Sequence, residues 1–159
     1  MGVSVIDGTI ESAELKRTAP GVRFYKSIVF RLPNGETKTL AKPIAHPTMG
    51  EHLIPGTSGR FYTFASIDHR GIHGVRTNGG AALYAYPKNN EVIGMWVTIF
   101  AVVAAAIMIS LIGDFSIWLL IAIILGPILW IYNRNLRQQG ERQFNGDTAP
   151  VPTQAPAAG

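Results

Sequence analysis

Apolar and polar positions interleave through the first 90 residues and then stop interleaving. Residues 3–15 (VSVIDGTIESAEL) and 22–32 (VRFYKSIVFRL) are rich in β-branched and aromatic side chains. Their partial alternation is what a sheet covered on one face requires. The segment TAPG at 18–21 joins them, and Asn34-Gly35 within LPNGET is a strong hairpin-turn signal. Further strands are expected at 36–42, 60–67, 71–76 and 81–87, the last after TNGG. Residues 43–59, with Pro43, Pro47, Pro55, Gly50, Gly56 and Gly59, read as a loop with room for one helical turn. About six short strands in this length predict a small all-β head, an OB- or SH3-like barrel or a sandwich.

From Val92 to Tyr132 the chain carries a single acidic or basic side chain, Asp114, in 41 residues. One continuous helix of that length would be about 60 Å long, twice the roughly 30 Å of a bilayer core. It would also hold a carboxylate near the midplane, at a cost on the order of 3 kcal/mol or more. Breaking the run at a Gly113–Asp114 turn gives two membrane-length helices, 92–112 and 115–132. Gly113 can end the first, and Asp114 or Ser116 can cap the second. Small residues recur on one face of each helix: Gly94, Thr98, Ala101 and Ala105 on the first, Ala122 and Gly126 on the second. A hairpin reversing at 113–114 sets Ala105 against Ala122 and Ala101 against Gly126, so the backbones can approach closely. Pro127 predicts a kink in the second helix. The expected organisation is thus a β-domain at 1–90, a transmembrane hairpin at 91–132, and a basic, then Pro/Ala-rich, disordered tail at 133–159.

Charge sets the expected orientation. Residues 1–91 contain eleven Lys/Arg and seven Asp/Glu. Arg76 and Lys88 precede the hairpin and Arg134, Arg137 and Arg142 follow it, whereas the turn has no basic residue. This bias places both termini in the cytoplasm. A head domain followed by a hairpin is similar in plan to small bacterial membrane proteins that join an OB-like domain to membrane helices, which implies a bacterial inner membrane. Arg60, Arg70, Arg76, Lys88, Arg134 and Arg137 are the expected contacts to anionic headgroups. The first 20 residues lack the basic start and apolar core of a secretory signal.

The chain has no cysteine, which excludes disulfides and thiol chemistry within it. His69 and His73 have i, i+4 spacing, but glycines around them favour strand and turn, so neither a metal site nor a catalytic residue is assigned. His46 and His52, in the Pro/Gly loop, read as turn-capping or surface residues. The glycine-rich stretch 67–80 lacks the Walker pattern, and no helix follows it. Phe24, Tyr25, Phe61, Tyr62 and Phe64 suit a sheet core better than base stacking, so nucleic acid is not an expected partner. No cofactor is expected. These features point to a non-enzymatic integral membrane protein whose β-domain is an interaction, regulatory or assembly module. Its expected partners are the lipid bilayer and either another protein or a second copy. Two other classes stay open: a transport or channel subunit built from oligomerised hairpins, and a histidine-dependent metal-binding or enzymatic head.

Overall fold

The computed structural model describes residues 2–87, 89–112 and 116–151. Seven strands precede two helices: β1 (Gly2–Ala19), β2 (Val22–Arg31), β3 (Thr37–Ala41), β4 (Pro43–Ala45), β5 (Ser58–Ala65), β6 (Arg70–Thr77), β7 (Ala82–Tyr84), α1 (Asn89–Ile112) and α2 (Ile117–Gly146). The chain divides into two compact units, Met1–Pro87 with Leu136–Gly159, and Lys88–Asn135.

In the first unit β1 is long enough to serve two neighbours. Its first half pairs antiparallel with β5, Gly2 opposite Ala65 through Thr9 opposite Ser58. Its second half pairs antiparallel with β2, Thr9 opposite Arg31 through Ala19 opposite Val22, with register shifts between Ile10 and Arg17. Such bulges increase local bend and twist. β4 pairs antiparallel with β2 and parallel with β6, and β6 returns antiparallel to β5. The ring β1-β2-β4-β6-β5 is closed, while β3 and β7 extend it on β2 and β6. This is a five-stranded barrel of the OB-like class. The closing strand lies inside the Pro/Gly segment expected as loop. That segment also holds a 3-10 turn, Pro47–Glu51, whose Thr48 amide donates to the His46 side chain. The Asn34-Gly35 turn joins β2 and β3 as expected, with the Glu36 amide donating to Asn34 Oδ1 at 3.0 Å.

The alternation in β1 and β2 sends Ile6, Ile10, Tyr25, Ile28 and Phe30 into one core with Phe61, Ile72 and Val75, and the 3-10 turn adds Met49. β5 and β6 break the alternation. Phe61 through Phe64 and Gly71 through Val75 are buried without interruption, the mark of strands covered on both faces. The second cover is the end of α2. Residues 133–146 are helical, where a disordered tail was expected, and Leu136 packs with Val22, Ile44, Phe64 and Tyr86. Average polarity hid one apolar stripe in this part of the expected tail: Leu136, Gly140 and Phe144 are buried at i, i+4 spacing among exposed or half-buried polar residues.

The second unit holds α1 and the first part of α2, and the two helical stretches Glu91–Leu111 and Ile117–Gly146 are long and apolar enough to cross a membrane. Their large side chains point outward: Phe100 is 73 % exposed, Trp118 75 % and Leu111 79 %. The expected small-residue face is where the helices meet. Gly94, Ala101, Ala105 and Gly126 are buried and Thr98 and Ala122 half-buried. The register differs by almost one turn. A Cβ on Gly126 would collide with the Thr98 hydroxyl, and one on Gly94 would lie 3.3 Å from the Trp130 nitrogen, so Gly126 faces Thr98 and not Ala101. Pro127 lies within an unbroken helix. Ser116 precedes α2 and its carbonyl accepts from the Leu119 and Leu120 amides. Gly113 and Asp114, the expected turn, lie outside the described residues.

Candidate functional site

Two features of the first unit combine charge, burial and shape: the seam between the barrel and the end of α2, and a basic groove.

The seam is built on β5, β6 and β7. His73, in β6, is fully buried with neither ring nitrogen hydrogen-bonded. Four aromatic rings surround it, Tyr62, Phe64, Tyr84 and Tyr86, at centroid distances of 5.7–6.3 Å. Gly140 of α2 closes the cage. A Cβ there would stand 2.9 Å from His73 Nε2, so only glycine fits without displacing the ring. Burial pushes the His73 pKa down to about 4, and the nearby Gly140 backbone counteracts this only in part. The ring is therefore neutral at physiological pH.

Phe144 lies one turn after Gly140. It meets Tyr62 edge-on at 5.0 Å and Tyr84 at 5.5 Å, and the Arg76 guanidinium lies 4.9 Å from its centroid. Arg76 Nη2 also donates to the Phe144 carbonyl at 2.7 Å, supplying a partner where the helix runs out of amides. The Tyr84 hydroxyl donates to the Arg137 carbonyl at 3.1 Å. Beyond the helix, Asp147 accepts from the Tyr62 hydroxyl at 2.7 Å and from Arg60 Nη1 at 3.0 Å. The other arm of Arg60 grips Asp7 on β1, Nε to Oδ1 at 2.7 Å and Nη2 to Oδ2 at 3.1 Å. The Tyr62 hydroxyl lowers the Asp147 pKa, reinforced by Arg60. Burial pushes Tyr62 up to about 12, with Asp147 adding to the rise. Asp7 raises the Arg60 pKa further, so the guanidinium stays charged.

Arg60 and Arg76, expected as headgroup contacts, have partners within the protein. The Arg60 side chain is only 11 % exposed, and two carboxylates satisfy its fork. Sequence reasoning missed this pairing because a sequence shows charge but not its partner, here 87 positions away. Arg70 is exposed, Arg134 lies over the Trp130 ring at 5.5 Å, and Lys88 lies outside the described residues. His69 and His73 are not brought to a common site. His69 ends in the groove beside Asp68, and His73 in the cage. Among the described residues no group of three His, Asp or Glu could hold a metal ion. Of the aromatics weighed for base stacking, Tyr25, Phe61, Tyr62 and Phe64 are buried, and only Phe24 is partly accessible.

The groove has a volume of about 660 Å³. It opens where the β1–β2 hairpin, the β3–β4 corner and the β5–β6 loop converge. Lys16, Arg17, Lys42, His69 and Arg70 line it together with one carboxylate, Asp68. Sequence reasoning missed this cluster except for Arg70, since its members are scattered over 55 positions of chain. No protein-family model matches the chain, and no curated protein or solved structure is significantly similar to it.

Proposed function

We propose that the chain is an integral membrane protein that holds an OB-like barrel on the cytoplasmic face of a bacterial inner membrane, where the barrel works as an interaction or assembly module and not as an enzyme. Support begins with two helices long and apolar enough to cross a bilayer, whose outward side chains would otherwise face water. The observation that carries the reading is the seam. Asp147, after the second apolar stretch, is bonded to Arg60 and Tyr62 of the barrel that precedes the first. That bond supports a reading in which chain before and after the hairpin shares one aqueous compartment, and the lysine and arginine bias favours the cytoplasm. Covering β5 and β6 with the end of α2 hides the second face of those strands and leaves the groove side of the barrel for recognition. Affinity purification from gently solubilised membranes tests the module reading. Proteins that accompany the full chain are expected to be lost when residues 2–87 are removed and the hairpin is kept. An unchanged set of companions would count against it.

A further inference from the structure

The groove collects cations without matching anions. Lys16 and Arg17 come from the end of β1, Lys42 from the β3–β4 corner, and Arg70 from the start of β6. Among the described residues none of these four side chains has an ion-pair partner. Arg17 instead lies over the Phe24 ring at 4.4 Å. Asp68, the one carboxylate in the lining, accepts from the Ser66 hydroxyl at 2.6 Å, and His69 Nδ1 lies 3.1 Å from its other oxygen. Four like charges around one cleft repel each other, so the fold carries an electrostatic cost that a bound anion would relieve.

A second observation singles out the same place. Lys42 is the one non-glycine residue with positive φ among the described residues, at 51°. That left-handed conformation is unfavourable for a side chain with a Cβ, and strain of this kind gathers at binding sites. A glycine would fit the corner without strain, yet a lysine occupies it and lines the groove. The volume falls in the range of small-ligand clefts. Arginine forks and lysine point charges together match phosphate oxygens, and Phe24 and Ile67 add apolar wall beside them.

From this we infer that the groove between the β1–β2 hairpin, the Lys42 corner and the β5–β6 loop binds a phosphate-bearing anion, supplied by a lipid headgroup or by a soluble phosphate compound. The inference goes beyond the module reading and does not depend on a protein partner.

The test uses the full chain in phosphatidylcholine nanodiscs, titrated calorimetrically with inorganic pyrophosphate. Binding is expected to weaken about tenfold in Arg70→Gln, the loss typical of one charge-assisted contact. Lys42→Gly should weaken binding to a similar degree while leaving the melting temperature equal or higher, because it removes the strain together with the charge. That split separates a binding role from a structural one. Repeating the titration in phosphatidylglycerol nanodiscs distinguishes the sources. Pyrophosphate binding weakened by the anionic lipid in the wild type, but not in Lys42→Gly, assigns the site to a headgroup; binding indifferent to lipid assigns it to a soluble phosphate. Equal affinity in wild type and both variants would overturn the proposal. So would a wild type that neither binds pyrophosphate nor is stabilised by phosphatidylglycerol, or one that binds only an acidic peptide or a single-stranded oligonucleotide.

Discussion

Phe144→Ala is expected to release residues 136–147 from the barrel, weakening that seam by about 3–5 kcal/mol, the usual cost of deleting a buried phenylalanine ring. The ring joins contacts that nothing else replaces: an edge-on approach to Tyr62, a second ring in Tyr84 and the face under Arg76. It also fits against Gly74, where a Cβ would lie 2.7 Å from Phe144 Cδ2, so the surfaces interlock and cannot close over the void. A loss of this size raises the open fraction about a hundredfold or more. Limited trypsinolysis of the detergent-solubilised protein reads it directly, because Arg137 and Arg142 lie in the segment released. Cleavage there should accelerate strongly in Phe144→Ala, while circular dichroism retains the strand signal of a barrel whose own core lacks Phe144. Cleavage rates equal to wild type would show that the seam does not depend on this ring.

The second large effect is acid lability. His73 titrates at about 4 in the folded protein, against about 6.5 in an unfolded chain. Between those values the unfolded state binds more protons, so stability rises with pH across the window. The contribution is complete above pH 6.5 and is lost as pH falls through 4. A difference of this size corresponds to about 3 kcal/mol, and it falls on the seam because Gly140 is one wall of the cage. The groups facing His73 are Tyr62 and Phe64 of β5, Tyr84 of β7 and Tyr86 just after it, none of which offers a negative charge to a protonated ring in this range. Asp147 acts in the same direction at lower pH, since its depressed pKa also makes protonation destabilising. His73→Phe keeps an aromatic in the cage and removes two unsatisfied nitrogens. Its melting temperature should be nearly flat between pH 6.5 and 4.5, where the wild type falls by several degrees. A wild-type melting temperature that is flat in the same range would contradict the buried neutral histidine.

Much of the fold was legible in short-range pattern. Strand alternation, the Asn34-Gly35 turn and the length of the apolar run each depend on neighbours a few residues apart. Closure of the barrel was not legible. β4 is three residues long, begins with Pro43 and gains strand character only from β2 and β6 on either side. The seam was hidden for a related reason. Leu136 and Phe144 are isolated among polar residues, and Gly140 reads as a helix breaker until a histidine ring is placed against it. The signal that could have found it lies in the partner strands. RFYTFA and GIHGV are apolar on both faces, which a barrel wall facing solvent does not need. The small-residue stripe of the hairpin was legible as a face but not in register, because the reversal itself sets the offset and the pairing of Gly126 with Thr98 emerges only in three dimensions.

The central claim is that the chain crosses a bilayer twice and returns, so that barrel and seam lie on one side with the turn on the other. A chain without cysteine allows this to be measured one residue at a time. Thr48→Cys on the barrel, Asn145→Cys at the end of α2 and Asp114→Cys, in the sequence between the helices, would each be labelled with a membrane-impermeant maleimide, in right-side-out and in inverted inner-membrane vesicles. The account predicts that Thr48→Cys and Asn145→Cys react only in inverted vesicles and Asp114→Cys only in right-side-out ones. Labelling of Thr48→Cys and Asn145→Cys from opposite sides, or of Asp114→Cys from the same side as both, would contradict it.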